Sequence, residues 1–432
     1  MRHSACRRVL HGAVAALLFG AGTAALAQDI PDEDFTTFND RLDTGPIAVT
    51  DRRQPPFEPI GVRAGNFLLF PELEIGGLYN SNLFATPDNE IDDVGVLLAP
   101  RISASTDWAS GSLTAYARSL IQAYASNETE STEQIWAGIN GQIDFRRNTE
   151  IRVAAEYGRF VEDRGSNFAP IDTRKPVEFD RFFGSVLFDT QSGRLRTQLR
   201  TDISRFTYDN ARRRSDPTQI FVLTGRDYTR VEPQVRVGYD FTPDTQLFFG
   251  GAYNQRRYDE IITVDRDSDG GYLYLGFRLR PTPLIRVRAA VGYIWQRYKQ
   301  PLGDASGLYT DLELMWFPTE LTTVTAQLTR DVSESGAIVT GGPIQTEASL
   351  RVDHELLRNL ILTGEARYQN SDFETIDRED RRYELAGSAR YRLSPTLEVN
   401  GRLSYLKQDS RGPLSVFDFD QARFIVSATL KR

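Results

Sequence analysis

The chain has 432 residues, a formal net charge of −8, 40% hydrophobic residues and a single cysteine. That cysteine, Cys6, lies in the first 27 residues together with His3 and His11. Residues 28–432 therefore hold no thiol for a disulfide or a thiolate metal site. The acidic balance excludes a basic nucleic-acid binder, and no cofactor is expected.

The amino terminus reads as a signal peptide over residues 1–27. Arg2, Arg7 and Arg8 precede a short apolar run, Val9 to Ala25, and "ALA" precedes Gln28. The apolar run is too short for a comfortable helical span. Without these residues the formal charge is −11. Residues 28–65 are acidic, then proline-rich ("DIPDEDF", "RRQPPFEP"), and read as a flexible periplasmic segment.

From residue 66 to 432 a two-residue hydrophobic period takes over. "IRVRAAVGYIW" shows it. Ile285, Val287, Ala289, Val291, Tyr293 and Trp295 form one series, and Arg286, Arg288, Ala290 and Gly292 form the other, with Ile294 out of pattern. A helix turns about 100° per residue and would smear both series around its surface. A strand gives each its own face. The pattern predicts strands near 67–79, 93–107, 112–124, 132–145, 150–162, 177–190, 194–208, 227–241, 246–261, 271–280, 284–299, 308–317, 321–332, 346–356, 360–371, 382–393, 396–408 and 419–430. Most exceed the usual globular length of about 5–6 residues and reach the ~9–11 that a tilted strand needs to cross a bilayer.

The connections alternate in length. "RRNT", "QSG", "PTP", "PTE", "LRN" and "SPT" are tight turns, while Asp163–Pro176, Asp209–Arg226 and Ser333–Gln345 are long charged loops. That alternation predicts an all-β, transmembrane, antiparallel up-and-down β-barrel of about eighteen strands (16–20), with short turns in the periplasm and long loops outside. Its surroundings would be outer-membrane lipid of a Gram-negative bacterium, reached through the outer-membrane assembly machinery. Aromatics near strand ends read as two interfacial girdles. Trp108, Phe145, Phe188, Phe241, Trp316 and Phe317 stand by the short turns. Tyr124, Phe160, Tyr208, Tyr258, Trp295, Tyr298 and Tyr368 stand toward the loops.

Energetics fix the phase. An arginine on the lipid face costs ~2–4 kcal/mol at the midplane, so the aliphatic series faces lipid and the charges face inward. The candidate pore-lining set is Arg152, Arg194, Arg196, Arg200, Arg236, Arg278, Arg280, Arg286, Arg288, Arg351, Arg390, Arg392 and Arg402, with Glu156, Glu232, Glu347, Asp353, Glu365, Glu384 and Glu398. Such rings of charge select solutes. They also pair across strands and stiffen the wall. Read as a net positive wall, this set would favour anionic or sugar-like solutes.

"GVRAGNFLLFPELEIGGLYNSNLF", Gly61 to Phe84, resembles the opening of the putative β-barrel porin 2 family, through Gly61, Arg63, Gly65, Phe67, Pro71, Leu73, Glu74, Tyr79, Asn80, Asn82 and Phe84. "DDVGVLLAPRISASTDW" resembles the second strand and turn of that family. The resemblance implies an outer-membrane barrel, often associated with exopolysaccharide production or export, and supplies no catalytic residues. One departure is the ending on Lys431–Arg432, where outer-membrane barrels commonly end on an aromatic.

A porin-like channel for hydrophilic solutes, with polysaccharide as a further partner, is the first functional reading. A non-conducting structural or assembly-partner barrel is the alternative, and oligomeric state stays open. His354, between Asp353 and Glu355, reads as a girdle or turn residue rather than a catalytic one, so no enzyme is expected. "DRDSDGG" begins like a calcium loop but has Gly276 where the pattern wants Glu, so it reads as a solvated loop.

Overall fold

The computed structural model of the chain describes residues 46–166, 170, 172–334, 340–373, 376–412 and 418–432. Residues 1–27, expected from the sequence to be a signal peptide, and residues 28–45 lie outside them.

Eighteen long strands form the wall among the described residues: β1 (Phe67–Asn80), β2 (Asp93–Trp108), β3 (Gly111–Tyr124), β4 (Thr132–Arg146), β5 (Thr149–Val161), β6 (Glu178–Ser192), β7 (Leu195–Tyr208), β8 (Tyr228–Thr242), β9 (Thr245–Tyr258), β10 (Ser268–Thr282), β11 (Ile285–Tyr298), β12 (Ala305–Thr319), β13 (Thr322–Val332), β14 (Ile344–Leu357), β15 (Leu360–Phe373), β16 (Arg378–Ser394), β17 (Leu397–Arg411) and β18 (Phe419–Lys431). Each pairs antiparallel with its chain neighbours. The ring closes where β1 meets β18, from Glu72 opposite Lys431 to Asn80 opposite Arg423. Closure leaves no edge, so the wall's backbone groups are paired within it, as hydrocarbon requires.

Side-chain parity follows the pairing register around the ring. Even residues of β11 share a face with odd residues of β12, because Arg288 opposes Glu313 and Ala290 opposes Asp311. Contacts that skip a strand identify this face as the concave one. Arg402 on β17 reaches Glu365 on β15 at 3.1 Å, and Tyr116 on β3 donates to Glu156 on β5 at 2.6 Å. The other face is apolar: Val96, Leu385 and Leu403 are each about 60% exposed, as expected for side chains that meet lipid. Toward the loops this outer band ends at ion pairs, including Arg205–Asp259, Arg257–Asp269 and Arg381–Glu379. Charges there sit at interface depth, where the lipid-face penalty falls to about 0–1 kcal/mol.

The aromatic girdles need correction. Trp108, Phe145, Phe241 and Trp316 are exposed, and their register puts them outward by the short turns. Phe317 is buried inside, under Arg286. Toward the loops, Tyr124, Phe160, Tyr208, Tyr258 and Tyr298 also face inward. Their parity is that of the inward residues Gln122, Glu156, Arg200, Arg256 and Arg286. A position near a strand end does not say which face a ring is on; its phase relative to charged neighbours does.

Candidate channel lumen

The register places nineteen of the twenty candidate residues on the concave face: Arg152 and Glu156 on β5, Arg196 and Arg200 on β7, Glu232 and Arg236 on β8, Arg278 and Arg280 on β10, Arg286 and Arg288 on β11, Glu347, Arg351 and Asp353 on β14, Glu365 on β15, Glu384, Arg390 and Arg392 on β16, and Glu398 and Arg402 on β17. Arg194 is the exception. It sits exposed in the two-residue turn after β6, beside Gly193, whose φ of 60° suits a tight hairpin.

The arginines are not a bare positive wall. Arg196 pairs with Asp189, and both are buried. Arg200 pairs with Asp202 at 2.8 Å, Arg351 with Asp353 at 2.8 Å and Glu365 at 3.0 Å, and Arg288 with Asp311 and Glu313. Arg390, Arg392 and Lys431 converge on Glu398. Inward carboxylates absent from the sequence-based set, among them Glu74, Glu150, Asp189, Asp202, Asp311 and Glu313, supply much of this pairing. The net positive wall therefore becomes a mosaic of ion pairs.

Aromatic rings fill one flank. Near the loop ends a chain of contacts runs Trp136–Phe160–Phe179–Tyr208 across β4 to β7, with centroids 5.2–5.8 Å apart, and continues Phe206–Tyr228–Tyr258 to β9. Tyr272 stacks on Tyr309 at 4.5 Å. Glycines make room for such rings. Phe248 opposes Gly276, where an added Cβ would lie 2.3 Å from the ring, and Tyr274 opposes Gly250 in the same way. The opposite flank is wet. Arg351, Arg367, Glu313 and Glu365 keep 28–41% of their side-chain surface in solvent.

Both mouths carry inward-folded chain. Outside, the β5–β6 loop crosses to β18: Arg423 donates to Asp163 at 2.7 Å, and Arg164 forks onto Glu130 at 2.7 and 2.8 Å, that pair almost fully buried. The β13–β14 loop reaches β9, where Glu334 forms an ion pair with Arg256 and accepts a hydrogen bond from Tyr258. At the short-turn end, residues 46–58 run along the inner wall. The Pro46 carbonyl accepts from Arg286, Val49 N–H donates to Thr323 Oγ1 at 3.0 Å, and Arg52 pairs with Glu355 at 3.2 Å. Pro55–Phe57 then packs against β16. This part of the 28–65 segment thus forms a strap from β11 to β16.

The family model described as putative beta-barrel porin 2 matches residues 54–432. The chain belongs to the putative β-barrel porin 2 family. It is a porin-like protein of the Gram-negative outer membrane, a channel class rather than an enzyme class. No curated protein matches it. Among solved structures it is similar to the outer membrane protein opdK from Pseudomonas aeruginosa, with a TM-score of 0.44, 14% identity, and coverage of 84% of this chain and 99% of that one. A BenF-like porin from Pseudomonas fluorescens Pf-5 gives 0.45, 12%, 84% and 99%. The siderophore receptor PirA from Acinetobacter baumannii gives 0.45, 8%, 84% and 80%. Likeness of this degree is too loose to carry function.

In this porin-family barrel the residues set aside as catalytic or calcium-binding have ordinary partners. His354 Nδ1 lies 3.0 Å from Thr322 Oγ1 at the short-turn rim. In "DRDSDGG", Asp265 accepts from Asp267 N–H, Asp267 from Tyr258 N–H, and Asp269 pairs with Arg257.

Proposed function

We propose that this porin passes small hydrophilic solutes through the wet flank bounded by β12 to β15. The observation that carries the reading is the partly exposed, charge-paired strip of Glu313, Arg351, Glu365 and Arg367 on the concave face of a barrel whose convex face is apolar. A wall of alternating paired charges hydrates polar solutes at every height and discriminates only weakly by sign. The pore-lining role of the inward arginines and carboxylates is part of this proposal. Nothing in the geometry supports the exopolysaccharide association that the family resemblance implies. Swelling of proteoliposomes in a size series of neutral sugars tests the reading: uptake should fall with solute size, and absence of uptake for the smallest would defeat it.

The packed flank and the chain folded into both mouths favour a second reading, a non-conducting barrel that serves as a structural or assembly partner. The same liposomes separate the two.

A further inference from the structure

The inner wall is paired, but one basic cluster is not. Two long extracellular loops, β5–β6 and β7–β8, join in a small sheet. Thr173 bridges Arg213, Arg174 N–H donates to the Arg212 carbonyl at 2.8 Å, and Arg214 N–H donates to the Asp172 carbonyl at 2.8 Å. Residues 211–212 in turn pair with 220–221. The bridge sets Arg174 directly opposite Arg212. Like charges facing each other across a strand pair are unfavourable without a counter-ion. Both side chains are exposed, as is Lys175.

Among the described residues none of Arg174, Lys175, Arg212, Arg213 and Arg214 forms an ion pair, in a chain where most wall arginines do. The nearby carboxylates are occupied by neutral donors: Asp172 by Ser215, Asp216 by Thr218 and Gln219. Burial, then the charge of Arg164, holds the Arg214 guanidinium below its ordinary value. The sheet also leans over the mouth. Arg214 stacks 4.1 Å from the Phe84 ring of the β1–β2 loop, and Arg164 approaches the same ring at 6.0 Å.

The geometry points to an anion-capture site at the extracellular mouth, in which Arg174 and Arg212, with Lys175 beside them, bind oxyanion groups (carboxylate, phosphate or sulfate) of incoming solutes. Guanidinium forks match such groups in two-point contact. The position over the mouth favours a dissolved solute over the headgroup of a surrounding lipid. Capture there would raise the local anion concentration ahead of a charge-balanced lumen, an effect that salt screens. The site's role in transport rests on the channel reading, but its binding chemistry does not.

The test uses the chain spanning residues 28–432 in zwitterionic detergent, titrated calorimetrically with inorganic pyrophosphate at low and high salt. Wild type should bind at low salt, with affinity falling at least tenfold in 0.5 M salt. The double variant Arg174→Gln/Arg212→Gln should bind at least tenfold more weakly, while keeping the heat-resistant gel mobility of a folded barrel. The single variant Arg174→Gln, a milder change, should fall between. Equal affinity in wild type and variants, or no binding to wild type, overturns the proposal. So does a variant that loses co-purifying phosphate-bearing outer-leaflet lipid while still binding pyrophosphate. In planar bilayers the double variant should lose anion preference at 0.05 M salt and match wild type at 1 M. A barrel that binds pyrophosphate but conducts nothing would defeat the channel reading and leave the site standing. A barrel that conducts without binding would do the reverse.

Discussion

Leu385 and Ala386 are neighbours in the middle of β16, and they face opposite solvents. Leu385 lies outward, 61% exposed, between its partners Ala366 and Tyr405. Ala386 lies inward, opposite Glu365 and two residues from Glu384. An arginine at 385 places a guanidinium at the lipid midplane, at about 2–4 kcal/mol. It also removes a leucine that has over half its surface in hydrocarbon, about 1–2 kcal/mol more on the scale of a buried leucine. An arginine at 386 enters a wet lumen beside two carboxylates and should change stability by under ~1 kcal/mol. Urea titration of folding into lipid vesicles reads both. Leu385→Arg should be less stable by about 3–6 kcal/mol, and 2 kcal/mol alone shifts the folded ratio by roughly thirtyfold. Equal cost at the two positions, or a larger cost at 386, would refute the assignment of faces from which the lumen is built.

The loop inside the outer mouth hangs on the Arg164–Glu130 pair, with side chains 6% and 1% exposed. Glu130→Gln leaves a buried arginine uncompensated, worth about 3–5 kcal/mol, so trypsin should cut after Arg164 much faster than in wild type; an unchanged rate contradicts the contact. Gly276→Ala would set a Cβ 2.3 Å from the Phe248 ring and 2.5 Å from the Ala289 carbonyl. Such overpacking costs about 1–3 kcal/mol, which Phe248→Leu should partly relieve in the same urea assay. The strap should respond to acid. Burial opposes the charge of Glu58, but hydrogen bonds from Arg53 and Gln54 N–H, with the charges of Arg53 and Arg392, hold its carboxyl below the ordinary 4.5. A lowered folded value means the stabilisation is complete above the unfolded value and lost as pH falls through the folded one. Conductance should therefore be steady near neutrality and rise below pH 4.5 as the strap loosens. Glu58→Gln should show the higher level at pH 7, and an identical pH profile in that variant would argue against the strap.

Much of this architecture was legible because period-2 alternation carries both strand and face. The strands around Arg286 and Arg288, and the tight turns between hairpins, were readable from residue order alone. The inward aromatics were also legible, yet missed. Tyr208 has the parity of Arg200, and Tyr258 that of Arg256, but proximity to a strand end outweighed phase. Asp189 and Asp202 carried the same signal as their partners Arg196 and Arg200. What the pattern does not encode is long-range docking. Val49 meets Thr323, Arg423 meets Asp163, and Thr173 bridges Arg213. These contacts arise from irregular segments whose partners lie far along the chain, and no local period predicts them.

The most direct measurement is current through single molecules of the chain spanning residues 28–432 in a planar bilayer at 1 M salt. Discrete, ohmic steps with weak ion selectivity, larger in a variant lacking residues 46–58, are expected of a water-filled barrel narrowed by its own chain. A folded barrel that stays electrically silent with and without those residues would contradict it.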